Sequence, residues 1–384
     1  MKKTTYSLVL LGTFSIANAY AEGSVSLYGV LDAGVNYISN DGGKANWTMT
    51  TGVLQGNRWG LKGIEDLGGG MRAIFQIENG FSLGSGALGQ GGREFGRQAW
   101  VGVSSDRYGT VTLGRQYDSV VDYVQVLSSI VYTGLAHPFD NDNLDNDFRI
   151  NNAIKYTSSN YGGFKFGGLY AFSNAPNGTE GSGFASNRTW SLGASYSGGA
   201  LSLGAGYIHL NAPNSNTTGA VSGDYINVTN TSALHAAGLA SAVLREDVWA
   251  AAANYQFSAL KFGLVYSHSK FNSAQDSLKF DNYEANVSYQ ITPFALLSGS
   301  YCFTDGKLDS SGVEPKYHQV TLTGDYFLSK RTDVYLIGAY QRAAGGATVA
   351  SIAPDTFGAG GSYAPDASTS KNQLLIRLGI RHKF

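Results

Sequence analysis

Residues 373–384 read QLLIRLGIRHKF, and apolar and polar side chains alternate along this stretch. Every even position from 374 to 380 is leucine or isoleucine, whereas Arg377 and Arg381 stand at odd positions. Successive side chains of a β-strand point to opposite faces. The segment therefore predicts a strand with one aliphatic face and one face that carries basic residues.

The same alternation recurs along most of the chain. Residues 24–39 form a long example, with apolar residues at most odd positions and polar residues at several even positions. Further alternating segments lie at 71–78, 164–172, 190–196, 201–207, 260–266 and 283–291. The predicted strands that contain these segments are about 9 to 15 residues long, more than the usual 5 or 6 of soluble strands. We count roughly 16 of them, and an even number is required of closed bacterial barrels.

Alternation alone predicts either a soluble β-sandwich or a transmembrane barrel, because both have one apolar and one polar face. Strand length, aromatic residues at the strand ends and the terminal Phe384 favour the barrel. Short turns also alternate with long loops, which we place near 40–51, 117–150, 211–246 and 343–370. The sequence thus predicts an all-β fold, a 16-stranded antiparallel transmembrane barrel whose third long loop folds inward.

The composition excludes several other classes of protein. Of 384 residues, 51 are glycine, 24 tyrosine and 19 phenylalanine, and 14% are charged, against about 25% in soluble domains. Disordered chains are poor in aromatic residues, and a net charge of −1 gives no indication of nucleic-acid binding. One cysteine, Cys302, and six scattered histidines predict no disulfide framework, no metal site and no cofactor. No apolar run approaches the ~20 residues of a membrane helix.

The first residues have the pattern of a secretory signal peptide. Lys2 and Lys3 precede a short apolar stretch, and Ala19 and Ala21 supply small residues at the cleavage-determining positions. We expect cleavage after Ala21, with a cut after Ala19 as the alternative. The predicted organisation is therefore a signal peptide at 1–21 and a single barrel at 22–384.

Five segments in this order give the chain a resemblance to the Gram-negative general porins, in particular their beta-proteobacterial branch. They are SVSLYG at 24–29, NRWGLKG at 57–63, GTVTLGRQY at 109–117, NAIKY at 152–156 and LGIRHKF at 378–384. The resemblance implies a homotrimer in outer-membrane lipid, exported through the periplasm, with a pore for ions and small hydrophilic solutes and no enzymatic activity. It also implies that Phe384 is the signal read by the barrel assembly machinery.

Several basic residues are candidates for the pore. By parity, Arg58, Lys62 and Arg72 face the lumen, and we expect Arg58 and Arg72 at the constriction. By resemblance, Arg58 and Arg97 occupy the positions of constriction arginines, although Arg97 shares its parity with apolar neighbours. The alternative is that these arginines are solvated residues of the wall with no role in selectivity.

Three basic residues are expected at the pore wall or at the subunit interface, namely Lys62, Arg115 and Arg149. By resemblance, Arg115 lies near the subunit boundary. Its parity with Val111 and Leu113 allows its side chain to point outward.

The alternation stops after Tyr117, where the third long loop begins. Val120, Val121 and Val124 have helical spacing behind Asp118 or Ser119, either of which would cap a short helix. Asp118 and Asp122, four residues apart, lie on one face of that helix. Further aspartates follow at positions 140, 142, 145 and 147. We expect Asp118 and Asp122 at the constriction, facing the arginines; the alternative is an acidic loop at the surface.

The leading functional hypothesis is passive diffusion through a water-filled channel. An outer-membrane hydrolase would need a converging serine and histidine, and no spacing indicates such a pair. A plugged barrel that binds through its loops is the third possibility, and absence of conductance would distinguish it. On the wall, bases outnumber acids, which indicates a mild anion preference, and the loop aspartates oppose it.

Overall fold

The computed structural model describes residues 23–135, 137–146, 148–175, 177–178, 181–182, 186–222, 225, 239, 242–352 and 367–384. The predicted signal peptide at 1–21 and the loop residue Asp147 lie outside these described residues. Within them, no helix is long and apolar enough to cross a membrane.

The described residues form one antiparallel sheet of 17 strands and a separate pair of very short strands. The strands before the first long break are β1 (Ser24–Asp41), β2 (Lys44–Thr51), β3 (Arg58–Gly68), β4 (Met71–Gly80), β5 (Gln98–Ser105), β6 (Gly109–Gln116), β7 (Ile150–Thr157) and β8 (Phe164–Ala171). The short pair is β9 (Asn177–Gly178) and β10 (Gly181–Ser182). The others are β11 (Arg188–Gly198), β12 (Leu201–Asn211), β13 (Val243–Phe257), β14 (Leu260–Ser273), β15 (Ser277–Thr292), β16 (Ala295–Leu308), β17 (Pro315–Phe327), β18 (Thr332–Gly345) and β19 (Asn372–Lys383).

The sheet closes on itself through its first and last strands. β1 pairs with β19 from Val30 opposite Lys383 to Ile38 opposite Leu375. Beyond the last pair, the backbones of Gly29 and Phe384 exchange hydrogen bonds of 3.0 and 3.1 Å. The large sheet of the described residues therefore has no open edge, and the predicted closed antiparallel barrel is confirmed.

Two of the 17 strands share one position in the barrel. β2 and β3 both pair with β1, Thr51 lying opposite Ala33 and Arg58 opposite Val30. They are successive parts of one strand that is interrupted by residues 52–57. The barrel accordingly has the predicted sixteen strand positions.

The two faces of the barrel differ as the alternation predicts. In β19, the side chain of Leu378 is 64% exposed on the outer face, whereas its neighbour Arg377 is 0% exposed and points inward. Exposed aliphatic and aromatic residues recur on the outer face of the other strands, including Leu203, Leu264 and Leu322. The outer surface is thus apolar around the barrel, an arrangement suited to lipid.

One end of the barrel has only short turns, of two to six residues between the strands described, whereas the other end has the longer connections together with some tight turns. Of the four predicted long loops, the one near 40–51 is wrong. Gly42 and Gly43, with φ of 61° and 104°, form a tight turn, and residues 44–51 continue as β2. Positive φ at both central positions is what a two-residue hairpin turn requires, and glycine adopts it without strain.

The connection between β6 and β7, termed loop 3 here, runs from Tyr117 to Arg149. It contains helices α1 (Ser119–Tyr123) and α2 (Ile130–Thr133) and the 3₁₀ segments Gln125–Leu127 and Pro138–Asp140. Ser119 hydrogen-bonds to Ser191 of β11, and Ser129 donates to Glu284 of β15. Both partners lie on the inner face of the barrel, so these contacts place loop 3 against the inner wall.

Candidate pore constriction

A cavity of about 640 Å³ remains between loop 3 and the inner wall. Its basic lining residues are Arg58, Arg97, Arg381 and Lys383. Its acidic lining residues are Glu78, Asp145 and Asp325. Asp145 comes from loop 3, whereas the other six residues belong to the wall or to the segment that enters β5.

Glu78 of β4 holds two of these arginines. Its carboxylate accepts a 2.8 Å hydrogen bond from Nε of Arg97, and Nε of Arg58 lies 3.9 Å away. Tyr28 and Tyr117 donate their hydroxyl groups to the same carboxylate at 2.8 and 3.3 Å. One buried carboxylate thus faces two guanidinium groups, and the cluster carries a net positive charge into the cavity.

Arg97 lines the cavity although its parity in the sequence matched outward-facing residues. β5 begins only at Gln98, so Arg97 precedes the regular strand, and its amide donates to the carbonyl of Glu78 at 3.1 Å. The alternation of β5 therefore does not extend to residue 97. Strand parity assigns a face only to residues inside the regular ladder.

A second basic group lies on the last strand. Arg381 donates through Nε and Nη2 to Asp333 at 3.1 and 3.0 Å, and Nη2 lies 3.6 Å from Asp325. Lys383 follows two residues later on the same face, as the period of a strand requires. The sequence analysis placed Arg381 on the wall but did not include Lys383. Lys383 has the same parity as Arg381, so the alternation could have predicted that it faces the lumen too.

Asp118 does not reach the cavity, contrary to the expectation from the sequence. Its side chain accepts hydrogen bonds from the amides of Val120 and Val121 at 2.7 and 3.3 Å and from Asn143 at 2.9 Å. It is the N-cap of α1, as the spacing allowed, and it is fully buried. Burial raises the pKa of Asp118 to about 6, an effect that the two amide donors oppose.

Asp122 does not line the cavity either. It forms an ion pair with Lys155 of β7 on the barrel wall. Burial raises the pKa of Asp122, while the charge of Lys155 lowers it. The predicted opposition of Asp118 and Asp122 to the arginines is therefore wrong: one carboxylate caps the helix, and the other attaches it to the wall.

The later half of loop 3 is fixed by a buried histidine. His137 contacts Asp142 through Nδ1 at 2.6 Å and Glu284 of β15 through Nε2 at 3.1 Å. Burial opposes the charge of His137, but its contacts with Cys302 and Asp142 raise the pKa of the imidazole well above its usual value. Among the described aspartates of loop 3, only Asp145 lines the cavity.

Two of the predicted wall residues lie nearer the short turns. Arg72 pairs with Asp106 at 2.8 Å beside the turn between β5 and β6, and the two side chains are 39% and 64% exposed. Lys62 lies with Nζ 5.5 Å from the ring centre of Tyr28. Neither residue lines the cavity. The placement of Arg72 at the constriction is thus wrong, because parity fixes the face of a residue and leaves its height in the barrel undetermined.

Arg115 and Arg149 stand together where loop 3 meets the barrel. Arg115 is buried and donates to the carbonyl of Gly96 at 2.7 Å and to that of Arg149 at 3.3 Å. Arg115 lies at the register shift between β6 and β7, between Gly114 and Gln116, while it still pairs with Ala99 of β5. Arg149 lies over the ring of Tyr117, 5.9 Å from its centre.

A model of the Gram-negative porins matches residues 7–346 of the chain. The chain belongs to the Gram-negative porin family. An outer membrane porin protein of Bordetella pertussis is 33% identical over the full length of both chains, and outer membrane porin protein 32 of Delftia acidovorans is 27% identical over the same extent. The solved anion-selective porin of Comamonas acidovorans superposes with a TM-score of 0.75, at 25% identity, covering 94% of this chain and all of the other.

Membership of this family assigns functions to the apolar outer face and to the interior of the barrel. The porin is located in the outer membrane, where its exposed aliphatic residues contact lipid and its interior provides a passive channel. Its relatives are channels rather than enzymes.

Proposed function

We propose that the cavity between loop 3 and the wall is the constriction of the pore and that it favours anions. The observation that supports this is the excess of basic over acidic side chains around it, four against three. Fixed charges at the narrowest point of a channel select ions by sign. The anion-selective description of the Comamonas acidovorans protein is consistent with the same preference here.

The arginines are held in place, which makes them effective selectors. Glu78 fixes Arg58 and Arg97, while Asp333 and Asp325 fix Arg381. A guanidinium group that is already oriented needs little reorganisation when an anion passes. Small hydrophilic anions would be attracted to the basic side chains without binding tightly, as conduction requires.

Measurement of the reversal potential in a salt gradient across planar bilayers tests this proposal. Arg58→Ser together with Arg97→Ser should shift the potential toward cation selectivity. Arg72→Ser is the control for loss of a basic side chain outside the cavity, because Arg72 pairs with Asp106 and does not line the cavity; it removes one positive charge, against two in the double variant. An unchanged potential in the double variant, or an equal shift in the control, would remove these arginines from the constriction.

The assembly is the second part of the proposal. We infer a homotrimer with three separate pores, produced from a precursor whose residues 1–21 are removed. Conductance steps in groups of three would support the trimer, and mass measurement of the mature chain would give the cleavage site.

Phe384 is proposed as the signal for the barrel assembly machinery. Its backbone closes the barrel against Gly29, and its side chain is 40% exposed. Phe384→Ala should reduce the amount of assembled protein in the outer membrane, while purified protein still refolds in detergent. Failure of both would indicate a structural role alone.

A further inference from the structure

The second barrel strand is interrupted beside the candidate constriction. Two residues of β1 separate Val30 from Ala33, whereas six residues separate their partners Arg58 and Thr51. The partner strand therefore has four more residues than the ladder can pair. We call residues 52–57 the inward bulge. Bulges commonly redirect side chains next to functional sites.

Asp32 holds the inward bulge on the lumen side of the barrel. The amide of Gly52 donates to the carbonyl of Asp32 at 2.9 Å, and the amide of Val53 donates to its carboxylate at 3.3 Å. The side chain of Asn57 accepts from the amide of Asp32 at 2.6 Å. Asp32 is itself fully buried and paired with Arg377 at 2.9 Å. The bulge is thus anchored at both ends to the inner wall.

Loop 3 packs directly against the inward bulge. Gly134 has φ of 62°, and a Cβ atom there would lie 2.1 Å from the carbonyl oxygen of Val53. Leu54 and Leu135 belong to one buried apolar cluster, together with Ile352 beyond β18. No space for a side chain separates the two segments at Gly134, so the bulge and the loop form a continuous surface.

That surface reaches the cavity. Leu54 and Gln55 line it together with Arg58, which immediately follows the bulge. The side chain of Gln55 accepts a 3.4 Å hydrogen bond from Arg381 on the last strand. The bulge therefore fills part of the lumen between two of the basic residues of the constriction.

We propose that the inward bulge is a second constriction element and that Leu54 and Gln55 limit the size of solutes that pass. The inference rests on the proposed constriction, to which it adds a segment other than loop 3. Pore diameter at the narrowest point sets the size limit of a channel. The inward bulge therefore governs size, while the arginines govern charge.

Uptake of uncharged sugars of increasing size into liposomes tests the role of Leu54. Leu54→Ala should raise the uptake of large sugars relative to small ones, because the truncated side chain lines the cavity. Leu375→Ala is the matched control, since Leu375 belongs to the same buried cluster but does not line the cavity. Equal size profiles for the two variants would overturn the proposal.

Gln55→Trp provides a test in the opposite direction that removes no packing. It should lower the uptake of large sugars relative to small ones, and wild-type uptake of large sugars would overturn the proposal. Uncharged probes do not respond to the charge selectivity of Arg58 and Arg97. If the Leu54 and Gln55 variants leave sugar uptake unchanged, the reversal-potential result therefore still stands. Conversely, loss of ion selectivity in the Arg58 and Arg97 variant would leave the size profile of sugar uptake unchanged.

Discussion

Replacement of Arg377 by methionine should destabilise the barrel, because it leaves a carboxylate buried without its ion-pair partner. Arg377 is fully buried and donates to Tyr335, Asn36, Thr50 and Asp32 at distances of 2.6 to 3.3 Å. Methionine replaces the aliphatic part of the arginine side chain, so the change removes the charge and the donors while leaving that part of the volume occupied.

The magnitude follows from the groups that remain. Removal of one partner of a buried ion pair costs about 3–5 kcal/mol. Asp32 retains hydrogen bonds from the hydroxyl of Tyr335 at 2.9 and 3.0 Å and from the amide of Val53. We therefore expect Arg377→Met to lower the free energy of unfolding by an amount at the lower end of this range, about 3 kcal/mol. Adding Asp32→Asn should recover about 1–2 kcal/mol, as expected for residues coupled by direct contact.

Urea unfolding in lipid vesicles, followed by tryptophan fluorescence and by the mobility shift of folded barrels in gels, measures these free energies. Arg342→Met is the control, because Arg342 is exposed on β18 and the same substitution there should change stability by less than about 0.5 kcal/mol. Equal losses for Arg377→Met and Arg342→Met would refute the reasoning. So would a double variant that is less stable than Arg377→Met alone.

Other predictions concern loop 3. Asp118→Ala should destabilise α1 by about 1 kcal/mol and speed amide exchange at Val120, which loses its acceptor. Because burial raises the pKa of Asp118 from 3.8 to about 6, this carboxyl group binds more protons in the native protein than in the unfolded chain between these pH values. Its contribution to stability should therefore fall as pH rises from about 4 to 6, and Asp118→Asn should reduce the pH slope of stability in this range. The pKa of His137 is raised above 6.5, so the stability from its charge is complete below pH 6.5 and is lost as pH rises through the higher native pKa. Channel noise should increase at alkaline pH in the wild type and not in His137→Gln. Gly134→Ala should alter single-channel conductance, whereas Gly199→Ala, with a similar φ of 58° and open space around it, should not.

The alternation of the chain was sufficient to predict the regular part of the barrel. β1 extends over Ser24–Asp41 and β19 over Asn372–Lys383, close to the predicted segments. Arg377 lies inward and Leu378 outward, as their parity requires. These features are local, because the period of two follows from the geometry of the strand alone. The N-cap at Asp118 was predictable for the same reason, since it depends on residues within one turn.

The composition of the constriction could not be predicted in the same way. Arg97 precedes its strand, Arg115 lies at a register shift between β6 and β7, and residues 52–57 leave the ladder altogether. At each of these places the regular alternation of inward and outward side chains is interrupted, so the face of a side chain no longer follows from its position in the sequence. The height of a residue along the barrel axis does not follow from its alternation either. Arg72 was therefore placed at the constriction, although it lies beside a turn.

The sequence by itself determined that this porin is built of long strands with one apolar and one polar face, because each strand carries that information in its own alternation. Strand length, the aromatic strand ends and the resemblance to the porins then favoured a closed barrel over a sandwich. Only the tertiary structure decided which charges meet. Asp118 and Asp122 attach loop 3, while Asp145, Gln55 and Lys383 reach the cavity. The reason is that a constriction is assembled from segments distant in the chain, and their meeting depends on register, bulges and loop packing across the barrel.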